Sequence, residues 1–379
     1  MVGSRRTRPR VGFLIDRWDP NRGGAERALA RLADRLDERG WEVHVFASSS
    51  RGTLPGDFHR IEGRGWTRAR RERSLANRLV GAAEELGCVT VGIRHLSRVD
   101  LYWPHDGSPW ESLLARRRAT GRSEPEAPYG RHRLFVELER DLLERGGARR
   151  VACVSTFVRD ELARLYPGCA DRLVLAPNGV DRARFHPRLR QRAEELRRAW
   201  GLGADPVLLF AGADGERKGL GPLLTALAAC REEPWRLVVA GVRHPKRWEK
   251  AAWRAGLGPG RVHFVAHTDP TELFSVADLT LLPTWRDTCG LVLLESLSTG
   301  VPVITTRQAG ASELLADDRA GEVLPDPDPE AWAEAVRRWL SRLRAGGVDH
   351  DAVRASTTER DEVEWLRGME GLVSSLAVD

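Results

Sequence analysis

Short apolar runs alternate with stretches of helical spacing along the whole chain. Val11–Ile15 is a run that suits a buried strand. A polar loop follows, and then Ala25, Ala28, Leu29, Leu32, Ala33 and Leu36 fall on one helical face. Gly40 closes that helix, and Trp41–Ala47 reads as the next strand. Strand, helix, strand in this order is a βαβ unit of a parallel sheet. Further strands are predicted at Val89–Ile93, Val99–Tyr102, Arg150–Val154 and Leu173–Ala176. The order then restarts, with strands at Val207–Phe210, Leu237–Ala240, Val262–Val265, Leu279–Leu282 and Val301–Thr305. Helices are expected between and after them at Leu220–Cys230, Pro270–Ala277, Leu291–Thr299 and Ala331–Leu340. The pattern therefore predicts an α/β protein with two doubly wound domains.

The Pro-, Gly- and Asn-rich stretch 177–187 marks the boundary, giving domains at 1–180 and 181–360. Residues 361–379 complete a helical tail that begins near Ala352. Two stretches interrupt the first half. Arg64–Arg78 is dense in arginine around Trp66, and either forms an interfacial helix on anionic lipid or packs through Leu75 and Leu79. Ala115–Gly130 reads as a mobile loop.

Composition narrows the class. With 379 residues, 41% hydrophobic and 30% charged, the chain can bury large cores without staples, and it is neither disordered nor fibrous. Five dispersed cysteines without a CxxC pair point to free thiols in a reducing compartment. The apolar run after the basic start is shorter than a signal-peptide core of about 7–15 residues. No apolar stretch reaches the length of roughly 18 residues that spans a bilayer. A cytoplasmic protein is expected. Net charge is +6, with +9 on residues 1–180 and −3 on residues 181–379, so the first half suits an anionic partner. Of 60 basic residues only Lys218, Lys246 and Lys250 are lysine.

Ligands of doubly wound sheets bind beyond the carboxyl ends of the strands, which selects a few loops. Gly23-Gly24 precedes a helix and is either an anion-accepting turn or a plain tight turn. Gly212–Gly219 carries Arg217 and Lys218, which suit a pyrophosphate or form an ordinary solvated pair. In Pro283–Glu295, Asp287 lies before a helix and Glu295 sits on its otherwise apolar first turns, where a carboxylate needs a partner. Gln308–Glu313 supplies small residues and backbone donors. Tyr102–Gly107 places His105 and Asp106 after a first-half strand. The D-x-D of Asp326–Asp328 sits among prolines and reads as a linker. With no paired cysteines, no metal site is expected.

Taken together, these loops resemble the family four retaining glycosyltransferases of the GT-B fold. The motifs are Gly23-Gly24, PNGVD at 177–181, FAGADGERKG at 210–219, and DTCGLVLLESLSTGVPVITTRQAGASELL at 287–315. The last is similar to the family's E-x7-E motif with Asp287 in place of the first Glu, and within the family the segment resembles lipopolysaccharide-core glucosyltransferases and their bacterial relatives. The resemblance implies two Rossmann-like domains facing a cleft, an acceptor-side first domain and a nucleotide-sugar-binding second domain. The last helix, 361–379, is expected to return to the first domain. It implies that Arg217 and Lys218 neutralise the donor pyrophosphate and that Glu295 holds the ribose. Asp287, Thr288, Cys289, Gly290 and Leu291 would hold the donor sugar, Gly23 and Gly24 would close over the phosphates, and Ala266 and His267 would lie near the base. His105 or Asp106 would orient the transferring sugar and the acceptor hydroxyl. Asp287 is one methylene shorter than Glu, about 1.5 Å of reach, so donor choice stays open.

The implied activity is transfer from a nucleotide-sugar, a UDP-sugar favoured, to a glycolipid or polysaccharide-precursor acceptor such as a lipopolysaccharide core. The mechanism is retaining, and no cofactor or metal is implied. Peripheral contact with an anionic membrane is left open, and a monomer or weak oligomer is expected. An epimerase or a glycogen-type synthase shares the fold. A nucleic-acid-binding role is disfavoured because no helix-turn-helix, zinc or RNP signature is present.

Overall fold

Parallel strands buried on both faces need near-continuous apolar sequence, and central strands of this protein such as VLLFA at 207–211 and LTLL at 279–282 have it. The computed structural model describes residues 8–266, 268–315 and 318–378. The first sheet holds β1 (Arg10–Leu14), β2 (Glu42–Ala47), β3 (Asp57–Arg60), β4 (Val89–Gly92), β5 (Val99–Tyr102), β6 (Ala148–Cys153) and β7 (Leu173–Leu175). Its order is β3-β2-β1-β4-β5-β6-β7. The second holds β8 (Val207–Ala211), β9 (Arg236–Ala240), β10 (Val262–Val265), β11 (Leu279–Leu282), β12 (Val303–Thr306) and β13 (Gly321–Leu324), ordered β10-β9-β8-β11-β12-β13. Every strand pairing described is parallel; Val11, for instance, pairs with both Val43 and Val89.

In each sheet the chain runs outward to one edge and then returns to the other side of the first strand. The reversal lies between β1 and β4, and between β8 and β11. Such switch points leave a crevice at the strands' carboxyl ends, where ligands of this architecture sit.

The chain divides into two compact units. The first comprises residues 1–113, 125–178 and 363–379, and the second residues 114–124 and 179–362. The last helix, Glu362–Val378, lies almost wholly in the first unit. There Arg35 Nε donates to Glu370 Oε2 at 2.8 Å, and the Trp365 ring lies 5.8 Å from that of Trp103. In the second unit Leu208, Phe210, Leu237, Val239, Leu281 and Ile304 pack against helical Leu223, Leu224, Trp332 and Trp339. The Asp278 carboxylate gathers Arg190, Arg197 and the backbone N–H of Val207 at 2.6–3.1 Å, pinning the start of β8.

Of the two readings left open for Arg64–Arg78, packing through Leu75 and Leu79 is the one observed, and two further expectations are corrected. The helix Arg68–Glu85 buries Leu75, Ala76, Leu79, Val80 and Ala83, so its apolar face is used in the fold. Residues 115–119 extend the helix Pro109–Ala119 rather than opening a loop. The helical tail is two helices, His350–Ala355 and Glu362–Val378, separated by a short 3-10 turn. Among the described residues no helix is long and apolar enough to cross a membrane.

Candidate active site

The loop after β8 begins at Gly212 and ends at Gly219, where the helix Leu220–Ala228 starts. Gly219 has φ +75°, and a Cβ there would lie 1.8 Å from the Pro283 carbonyl oxygen. Only glycine permits this contact between the loops after β8 and β11. At Gly212, φ is +154° and a Cβ would meet Lys218 Cδ at 2.2 Å, so its absence lets the lysine stem cross the backbone.

That stem ends on Asp287. Lys218 Nζ donates to Asp287 Oδ2 at 2.7 Å, with both side chains 13% exposed. The other oxygen, Oδ1, accepts the Gly290 N–H at 2.9 Å. Burial pushes the Asp287 carboxyl upward, but the charges of Lys218 and Arg217 and the bonds from Lys218 and Gly290 outweigh it and hold it at about 2. Arg217 Nη1 donates to the Arg286 carbonyl at 2.6 Å, and the Trp285 N–H donates back to the Arg217 carbonyl at 2.9 Å. Asp287 N donates to the Gln308 carbonyl, while Gly310 N donates to the Asp287 carbonyl. The loops after β8, β11 and β12 thus form one hydrogen-bonded body around two cations and one carboxylate.

Several candidates have other surroundings. The Gly290 N–H, expected to meet a sugar hydroxyl, is taken by Asp287. Thr288 and Leu291 are half-buried and Cys289 is buried. Glu295 is half-buried on the helix Leu291–Ser298, between buried Leu294 and Ser296. Ala266 is exposed just past β10, and His267 lies outside the described residues.

In the first unit the β1 loop reaches Gly23, which is extended and exposed, and Gly24 opens the helix Gly24–Glu38. Arg22 sits 3.4 Å from Glu26 and 3.5 Å from Asp16, so acidic side chains flank this turn. Burial raises the Glu26 carboxyl. The β5 loop carries His105, buried with its ring 4.2 Å from that of Trp103, and Asp106, exposed. Burial lowers the His105 imidazole to about 3, so it is neutral at pH 7.

Residues that sequence reasoning missed hold this loop. Ser108 donates its N–H to Glu161 Oε1 and its hydroxyl to Glu139 Oε2, each at 3.0 Å. Tyr166 OH also donates to Glu139 Oε2, at 2.6 Å. Glu139 is fully buried. Its signal was a glutamate sharing a helical face with Val136 and Leu143. A second D-x-D, Asp349–Asp351, also passed unnoticed. Asp328 and Asp349 are both helix caps, bonding Ala331 N in one case and Asp351 N and Ala352 N in the other.

Residues 22–184 match the family described as Glycosyltransferase Family 4, and residues 205–342 match Glycosyl transferases group 1. The chain is a GT-B glycosyltransferase. Lipopolysaccharide glucosyltransferase WaaG of Escherichia coli (strain K12) is 26% identical over 353 residues, 88% of this chain and 90% of that protein. A GDP-mannose-dependent alpha-(1-6)-phosphatidylinositol dimannoside mannosyltransferase of Mycobacterium tuberculosis (strain ATCC 25177 / H37Ra) is 32% identical over 229 residues, 60% of this chain and 57% of that one. Among solved structures, WaaG superposes with a TM-score of 0.81 at 23% identity, covering 96% of this chain and 99% of that one. Anabaena HepE, in complex with UDP-glucose, gives 0.75 at 18% identity, covering 97% and 99%. At these identities the structural likeness establishes the fold.

Proposed function

We propose that this glycosyltransferase moves a sugar from a nucleotide-sugar donor, a UDP-sugar first, to a hydroxyl of a glycolipid or polysaccharide precursor, with retention and without a catalytic metal. The observation that carries the reading is the Lys218–Asp287 pair with Arg217 beside it. As the bond between the sugar's anomeric carbon and the phosphate oxygen breaks, charge grows on the leaving diphosphate. Preorganised cations stabilise that charge most where water is excluded. Asp287, ionised at neutral pH, holds the Lys218 ammonium in place. The acceptor oxygen bonds the anomeric carbon on the departing face, and its proton passes to the leaving phosphate oxygen. Neutral His105, or Asp106 beside it, orients the acceptor hydroxyl. Glu295 binds the ribose, and the half-buried Thr288 and Leu291 border the sugar. Two cations take the part a divalent ion plays elsewhere. The commitment of Asp328 and Asp349 to helix caps supports this.

Peripheral membrane contact belongs to the same proposal, in changed form. The exposed rim Arg64, Trp66, Arg68, Arg70 and Arg71 suits anionic lipid, rather than the packed helix face behind it. Binding to anionic liposomes at low salt, lost in high salt, supports it, and no low-salt binding removes it.

A thermal-shift panel of UDP-, GDP- and ADP-sugars tests the donor, since a ligand of the folded state raises Tm. NMR of the product's anomeric proton with the winning donor tests retention, and inversion would overturn it. Undiminished turnover in excess chelator is expected.

A further inference from the structure

At the far end of the first sheet from the β5 loop, β2 and β3 place four chemistry-bearing side chains together. Glu42 and His44 alternate onto one face of β2, and Asp57 and His59 do the same on β3. His44 is paired directly with Asp57 in the register. The His44 side chain is only 5% exposed, yet its Nε2 is buried and makes no hydrogen bond among the described residues. Glu42 Oε1 stands 3.4 Å from that nitrogen. One donor atom from each of Glu42, His44 and Asp57 lies within 4.8 Å of the others. We propose that Glu42, His44 and Asp57 form a structural site for a divalent transition-metal ion of the zinc class, stapling the edge strand β3 to β2.

The surroundings fit that use. Ligand atoms about 2.0–2.2 Å from a tetrahedral zinc lie roughly 3.3–3.5 Å apart, which is the Glu42–His44 separation. An ion held between such atoms needs no water-sized gap, so a buried Nε2 can be a ligand. Ligating histidines anchor their second ring nitrogen. Here His44 Nδ1 lies 3.1 Å from His59 Nε2. Ligating carboxylates are likewise held from behind, and Arg10 Nε donates to Glu42 Oε2 at 3.0 Å. The two carboxylates match the ion's charge. β3 is a four-residue edge strand with its end positions exposed, so it has little core to hold it. The site lies at the amino ends of its strands, so glycosyl transfer proceeds without it.

The test uses the full, untagged chain, stripped with chelator and titrated with Co2+ and then Zn2+. One Co2+ per chain with tetrahedral d–d absorption, displaced by Zn2+, is the expected result. Asp57→Asn and His44→Gln should each weaken uptake at least about tenfold while glycosyl transfer stays unchanged. His44 is buried and its variant can fail to fold. Asp57 is 77% exposed, so Asp57→Asn carries the test in that event. Less than one tenth of an equivalent bound, or uptake unaltered in Asp57→Asn, would overturn the proposal, the second outcome marking an adventitious ion only.

Discussion

The two units solve the same problem, holding a loop at the carboxyl ends of a parallel sheet, by opposite electrostatic means. In the second, a buried carboxylate is tied to a charged lysine beside an arginine, and backbone bonds lock three loops around them. In the first, two buried carboxylates receive bonds from a serine N–H, a serine hydroxyl and a tyrosine hydroxyl. Under the proposed function the charged arrangement would keep cations ready for a developing negative charge, while the arrangement on hydroxyl and amide donors fixes a loop whose histidine stays neutral. A site that must answer charge stores charge, and one that must orient a substrate stores geometry.

The sharpest way to break the contrast is Lys218→Met. Losing one cation at a developing charge costs about 3–4 kcal/mol, or 10²–10³ in kcat. Steady-state kinetics check it, and near-normal kcat would remove the role. Asp278→Ala strips the shared partner of Arg190 and Arg197 in the second unit. It should lower stability by about 3 kcal/mol, read from urea midpoints, with little change in KM.

The pH response comes next. The folded-state carboxyl of Asp287 is depressed to about 2 against an ordinary 3.8. Its stabilisation is therefore complete above the ordinary value and is lost as pH falls through the depressed one. At about 1.4 kcal/mol per unit this amounts to roughly 2 kcal/mol lost between about pH 4 and 2. Denaturant midpoints of wild type and Lys218→Met should converge over that window, and parallel curves would exclude the coupling.

The smallest effect belongs to the first unit. Glu139→Gln keeps shape and acceptor but removes charge, and should lower kcat about tenfold by loosening the β5 loop, with KM for the donor unchanged. A fall in Tm with kcat intact would make Glu139 structural only.

Much of this architecture is legible in the sequence because parallel strands declare themselves as apolar runs. The predicted Val11–Ile15, Leu237–Ala240 and Leu279–Leu282 differ from the observed β1, β9 and β11 by at most one residue at either end. β3, with the sequence DFHR, and β13, with GEVL, escape that rule, since edge strands need not be apolar. The helix at Arg68 was ambiguous because arginines cover its exposed face, and only packing shows that Leu75 and Leu79 face inward.

By itself the sequence determined the periodicities, the glycines that open each loop, and the presence of Lys218 and Asp287 as isolated chemical groups. Tertiary structure alone decided that these two meet at 2.7 Å across 69 residues. It also decided that Asp287 spends its second oxygen on Gly290, and that Glu139 lies beneath Ser108. Local pattern records which face of an element is apolar. The partner of a buried charge is set by which strands the crossovers bring side by side, and that is a property of the folded chain.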